Sequence, residues 1–233
     1  MKPTNTLTPR IILFDFDGTL VNTTPLILRS FRATWQKVFG FEMADADYIR
    51  TFGTLLPSAL KGLTEQCIAD GRLCAVDDVT ALAAELLRTY REFNLAWHDD
   101  AIEPFADVDE VLQELKARDY RLGIVSSKMR FGVERGLNVF AMAEWFDVII
   151  AGDDVTNHKP HPEPLLKALE QFNAAPREAV YVGDSIHDIA AGRAAEIPTI
   201  AAAWGPFPRT ELEELKPDYL FDEPRDLLSF LGK

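Results

Sequence analysis

Apolar residues along the chain fall into two rhythms. Short unbroken runs at Ile11 to Asp15, Arg121 to Ser126, Val148 to Ala151, Ala179 to Gly183 and Thr199 to Ala203 read as strands buried on both faces, with Tyr219 to Phe221 as an added edge. Between them, "DVDEVLQELKARD", "EPLLKALEQF" and "HDIAAGRAAE" space their apolar residues by three and four, the period of a helix with one buried face. Strands alternating with helices predict an α/β fold, a doubly wound parallel sheet of Rossmann-like order 3-2-1-4-5. The first crossover breaks the pattern, because such a connection needs only about a dozen residues. Here the stretch from Asp15 to Arg121 also holds "PLILRSFRATWQKVFG", "LLPSALKGLTEQCIADG" and "DDVTALAAELLRTYREFNLAW", all helical in period with Gly at expected ends. An inserted all-helical domain over 22–100 is predicted, leaving 1–21 and 101–233 as the core.

At 233 residues the chain suits one domain carrying such an insert. Lys and Arg total 24 against 37 Asp and Glu, and the net charge of −13 disfavours broad attraction to nucleic acid or an anionic membrane. Any phosphate site must then be local. The polar start "MKPTNTLTPR" and a first apolar run of only four residues show neither a secretory signal nor a membrane span, so a cytoplasmic protein is expected, monomer or homodimer. Cys67 and Cys74, read on separate helical stretches, have no partners at metal-binding spacing and are expected to be plain thiols. His158, His161 and His187 read as ordinary loop histidines, and Trp35, Trp97, Trp145 and Trp204 as core or domain-seam residues.

In the predicted sheet order the ends of strands one, two and four meet where the winding reverses, the crevice in which open α/β sheets bind ligands. Those ends carry Asp15, with Asp17 two residues on, then Ser126-Ser127, then Gly183-Asp184. Residues two apart on a strand share a face, so Asp15 and Asp17 would crowd one region and repel unless something neutralises them. Lys159, held between prolines in "NHKPHPEP", is the expected cation for that crevice.

These residues resemble the four motifs of haloacid dehalogenase-like phosphatases. The first, a nucleophilic Asp followed by x-Asp-Gly-Thr, stands as "DFDGT", Asp15 to Thr19; the second is Ser126 in "GIVSSK"; the third is Lys159; the fourth is "GDSIHD", Gly183 to Asp188. The resemblance implies that Asp15 attacks phosphorus, forming an aspartyl-phosphate, while Asp17 gives a proton to the leaving group and later takes one from water. Mg2+ would be held by Asp15, the Asp17 carbonyl and Asp184, with Asp188 on a bound water. Thr19, Ser126, Ser127 and Lys159 would bind the phosphoryl oxygens. Asp17 separates this chain from the dehalogenase and phosphonate-cleaving branches and points to ester or anhydride hydrolysis.

A helical insert directly after the first motif is similar to the type-one cap of the phosphoglycolate phosphatase, pyrophosphatase and β-phosphoglucomutase group. The expectation is a magnesium-dependent hydrolase of a small phosphorylated metabolite, phosphoglycolate phosphatase-like. The alternatives are inorganic pyrophosphatase, a sugar-phosphate mutase, or a non-catalytic binding protein that keeps the fold. "GTLVNTTPLI" carries Asn22 where phosphoglycolate phosphatases usually have Asp, which is similar to the pyrophosphatase branch. "IRTFGTLL" resembles the substrate loop of such caps, making Arg50, Thr51 and Gly53, with Asn22, specificity candidates.

Overall fold

The computed structural model describes residues 9–74 and 78–231. Contacts divide the chain into two units, the first made of the chain up to Asn22 and from Pro104 onward, the second Thr23–Glu103.

Six strands form the sheet of the first unit: β1 (Ile11–Phe14), β4 (Arg121–Val125), β5 (Val148–Ile150), β6 (Ala179–Gly183), β7 (Thr199–Ala202) and β8 (Tyr219–Phe221), the two-residue β2 (Val21–Asn22) and β3 (Glu103–Pro104) lying outside it. The order is β5-β4-β1-β6-β7-β8 and every pairing is parallel. This is the predicted order with the sixth run added at the edge. Full burial of all four residues of β1 follows from its central place, with helices above and below. One face packs Ile11, Leu13, Val125 and Ile150 against Leu165, Leu169 and Phe172 of α7 (Glu163–Phe172) and Ala191 of α8 (Ile186–Ala194). On the other face Phe14 lines a small apolar void with Val108, Val111 and Leu112 of α5 (Val108–Ala117) and Leu227 of α10 (Asp226–Phe230). The helices α6 (Arg130–Val139) and α9 (Arg209–Glu214) were not foreseen. "RFGVERGLNV" carries two glycines, whose low helix propensity masks its period, and α9 is short and mostly charged.

The second unit holds α1 (Thr24–Phe39), α2 (Asp45–Ile49), α3 (Leu56–Ala69) and α4 (Val79–Trp97). Its core is aromatic: Phe31 stacks on Tyr48 at 5.0 Å and meets Tyr90 at 4.9 Å, with Trp35 fully buried beside them. Gly40 ends α1 in the left-handed region at φ 77°, where its lack of a Cβ removes the steric cost. Two readings change. Cys74 lies beyond α3 in non-helical chain rather than on a helix of its own, though both cysteines are free thiols. His187 is in the first turn of α8, not in a loop, and burial pushes its pKa down. No helix among the described residues is long and apolar enough to cross a membrane.

The sheet interior is tightly filled around Gly123 of β4, where an added Cβ would come within 2.9 Å of both Leu13 Cδ2 and Phe172 Cε2. Gly123→Ala is therefore expected to destabilise the fold by about 1–3 kcal/mol through overpacking. A lower denaturant midpoint checks this; an unchanged one would show that the neighbouring rings and methyls yield without cost.

Candidate active site

The register brings Phe14 level with Ile124 on one side and Val182 on the other. Asp15, the next residue, therefore leaves the sheet at the winding reversal, one residue level short of Ser126 and Asp184. β1 ends at Phe14, so Asp15 and Asp17 are not two residues of one strand as the alternation suggested. Gly18 turns the chain at φ 81°, and its amide donates to the Val21 carbonyl at 2.9 Å. The two acids consequently take different lysines. Lys159 Nζ lies 3.0 Å from Asp15 Oδ2, whereas Lys128 Nζ lies 2.8 Å from Asp17 Oδ1.

Three carboxylates, Asp15, Asp184 and Asp188, are buried with one oxygen from each lying within 4.8 Å of the others. Each is fixed by a different local device. Asp15 Oδ1 accepts the Phe16 amide at 2.7 Å. Asp184 Oδ1 accepts the Thr19 hydroxyl at 2.9 Å, and its carboxyl is pressed between two glycines. A Cβ on Gly18 would sit 2.4 Å from Asp184 Oδ2, and one on Gly205 would sit 2.4 Å from Asp184 Cβ. Asp188 closes a capping box on α8: its Oδ2 accepts the Ser185 amide at 2.9 Å and the Ser185 hydroxyl at 2.5 Å. Its Oδ1 accepts Lys159 Nζ at 2.6 Å and the Tyr181 hydroxyl at 2.7 Å. The helix-capping role and the place among the three acids are thus held by one residue.

Burial sets the charges. Desolvation lifts the Asp15 pKa to about 7, Asp188 and Asp17 adding to the rise and Lys159 opposing it. Desolvation and the neighbouring Asp188 and Asp15 likewise hold Asp184 well above the ordinary carboxylate range. Asp188 goes the other way, because Lys159 and its hydrogen bonds outweigh burial and keep it below that range. Burial works against the ammonium of Lys159, yet Asp15 and Asp188 together keep its pKa above that of a free lysine. One cation among three acids leaves the cluster short of positive charge.

Of the other candidates, Ser126 directly follows β4, with its backbone amide on the Ile150 carbonyl at 2.9 Å, and its hydroxyl accepts the Lys128 amide at 3.3 Å. Ser127 follows in the same loop. The Thr19 hydroxyl is directed at Asp184. Asn22 is the last residue of β2. Arg50, Thr51 and Gly53 belong to the second unit, in the turn after α2, where the Thr51 hydroxyl donates to the Tyr48 carbonyl at 2.7 Å.

Four residues escaped the sequence reading. Lys128, two positions after Ser126, was legible as a cation beside a strand end but looked like any surface lysine. Tyr181 is the one residue of β6 with a polar tip, and in a strand buried throughout that tip needs partners. Ser185 precedes Asp188 by three, the capping-box spacing. Trp204 follows β7, and its indole Nε1 donates to the Thr19 carbonyl at 2.9 Å, tying the turn after Asp17 to a third strand end.

A carboxylate at the sheet's switch point, a buried lysine against it and an oxygen-rich acidic cluster thus meet at one end of a parallel α/β core, where open sheets of this kind bind ligands. The chain belongs to the haloacid dehalogenase-like hydrolase family, whose model matches residues 12–202. It is 39% identical over 221 residues to pyrophosphatase PpaX of Bacillus cereus, covering 95% of each chain. Among solved structures, a provisionally assigned haloacid dehalogenase-like hydrolase from Bacteroides fragilis is 29% identical with a TM-score of 0.84, over 94% of this chain and 99% of that one. A provisionally assigned phosphoglycolate phosphatase from Lactobacillus plantarum is 28% identical with a TM-score of 0.80, over 96% and 99%.

The raised pKa of Asp184 has a direct consequence for stability. A carboxyl whose folded pKa exceeds its unfolded value binds more protons in the folded state, so its contribution falls as pH rises from about 4 toward the folded pKa. In chelator, Asp184→Asn is expected to match the wild type below about pH 4 and to be more stable by about 1–3 kcal/mol near pH 8. Denaturant titrations across that range check the widening gap; a variant less stable at pH 8 would mean that the charged form is satisfied without a cation.

Proposed function

We propose that the protein is a magnesium-dependent phosphohydrolase in which Asp15 receives the phosphoryl group, with pyrophosphate as its substrate. The observation that carries this reading is the placement of Asp15: at the sheet's switch point, 3.0 Å from Lys159 and inside a cluster of three buried acids. In that reaction an Asp15 carboxylate oxygen attacks phosphorus in line, the bond from phosphorus to the leaving oxygen breaks, and Asp17 supplies a proton to that oxygen. Water then attacks the phosphoryl-Asp15, losing its proton to Asp17, and inorganic phosphate leaves. Lys159 neutralises charge on the phosphoryl oxygens, with Ser126, Ser127 and backbone amides around them.

A divalent cation fits the residues present. The donor set is all carboxylate and carbonyl oxygen, the preference of Mg2+. The upward shifts of Asp15 and Asp184 mark negative charge in want of a counter-ion. Asp15, Asp184 and the Asp17 carbonyl would hold the ion, with Asp188 beside them. Bound there, it would neutralise the phosphate dianion and return Asp15 to the carboxylate that attacks.

Pyrophosphate is favoured by the 39% identity to a pyrophosphatase across nearly the whole chain, and by Asn22 after the first motif. The phosphoglycolate-type monoester is the second reading, supported by the likeness to the Lactobacillus plantarum structure. We read the helical unit as the cap of this family, with Arg50, Thr51 and Gly53 as selectivity residues on the strength of the motif resemblance alone.

Turnover of pyrophosphate should stop in excess EDTA and return with Mg2+. Saturating Mg2+ should also raise the melting temperature, since a ligand at 100 times its Kd stabilises by about 2.7 kcal/mol. The rise should be absent in Asp184→Asn. Undiminished hydrolysis in EDTA would contradict the proposal.

A further inference from the structure

Lys128 has no place in the reaction above, yet its ammonium lies 2.8 Å from the acid that handles the leaving group. Its stem is held. The backbone amide donates to Ser126 Oγ at 3.3 Å, the carbonyl accepts the Gly152 amide at 2.8 Å, and Nζ stands 5.5 Å from the centre of the Phe16 ring. Gly132 on α6 leaves the space its methylenes fill, for an added Cβ there would meet Lys128 Cε at 2.8 Å and Cγ at 3.2 Å. The cation is therefore placed by packing, and a lysine held this way acts as a fixed point charge with three donors.

We infer that Lys128 is a specificity-determining residue that binds an anionic group carried by the leaving half of the substrate. The inference rests on the reaction proposed above, in which Asp17 lies within hydrogen-bond reach of the leaving oxygen. One hydrogen bond from that oxygen to Asp17 and one more to Nζ put the ammonium within about 6 Å of it. The second phosphoryl group of pyrophosphate and the carboxylate of 2-phosphoglycolate carry their anionic oxygens about half of that distance from the leaving oxygen, and one hydrogen bond spans the rest to Nζ. With one N–H on Asp17 Oδ1, two donors remain for such an anion, so the pair with Asp17 need not break. The substrate class selected is the phosphoryl compound whose leaving group has its own negative charge. Lys159 serves the transferred phosphoryl, and Lys128 the group that departs. A phosphate ester with a neutral leaving half offers Lys128 nothing to bind.

The test compares kcat/KM for pyrophosphate and 2-phosphoglycolate with kcat/KM for p-nitrophenyl phosphate and 2-hydroxyethyl phosphate, in magnesium, for the wild type, Lys128→Met, Lys128→Gln and Lys128→Arg. In the Met and Gln variants the ratio of charged-leaving-group to neutral-leaving-group substrates should fall at least 30-fold, and Arg should hold it within about 5-fold of the wild type. Because each ratio is taken within one preparation, a partly unfolded variant does not disturb it. Equal losses on all four substrates would overturn the inference and leave Lys128 as a counter-ion for Asp17 only. Asp15→Asn separates the two levels: if it is inactive while the Lys128 ratios stay unchanged, this inference alone fails, and if it retains turnover, both fail.

Discussion

Three carboxylates that share one buried lysine cannot all be comfortable as anions, and the rest of the first unit is built around that crowding. At low effective dielectric, like charges a few ångströms apart repel strongly, and desolvation penalises each of them further. The protein meets this with unequal treatment. Asp188 is saturated with donors from Ser185, Tyr181 and Lys159 and sits below the ordinary range, whereas Asp15 and Asp184 are left above it. An acid that is fully satisfied is a scaffold; acids left in want of positive charge are the ones the proposed reaction uses to receive a cation and a phosphoryl group. The glycines follow from the same constraint, because Gly18 and Gly205 lie so close to Asp184 that any side chain would displace it.

The strands were legible because a sheet buried on both faces requires unbroken apolar runs, and these runs are rich in Val and Ile and bounded by polar or turn residues. Strand order was legible because alternating strands and helices commonly wind in the order 3-2-1-4-5, and that order brings the acids and hydroxyls at the ends of strands one, two and four together. Helix α7 matches "EPLLKALEQF" at both ends because Pro164 sets its start and Asn173, at φ 52°, its stop. What could not be read depends on tertiary placement. Nothing local distinguishes Lys128 from a solvated lysine until Phe16, Gly132 and Asp17 are brought beside it. Trp204 reads as one more aromatic until its indole is found on the Thr19 carbonyl. The error over Asp15 and Asp17 had a physical source as well: alternation along a strand was extended past Phe14, where the strand has already ended.

That early ending matters for the reaction proposed here. A continuous strand would give both acids one environment, while the turn at Gly18 gives each its own lysine: Asp15 a fully buried one, Asp17 one held against an aromatic ring. Separate environments are what a nucleophile and a proton carrier require, since one must stay unprotonated and the other must change state within each turnover.

The central claim is that Asp15 carries the phosphoryl group and Asp17 moves the protons, and the measurement that tests it most directly is the intact mass of Asp17→Asn after rapid acid quench with an aryl phosphate. A phenolate leaves without needing a proton, so Asp15 should still be phosphorylated, but without a base to activate water the adduct should persist. The account predicts one added phosphoryl group, mapped to Asp15. No adduct together with near-normal turnover of an alkyl phosphate, or an adduct mapped to another residue, would contradict it.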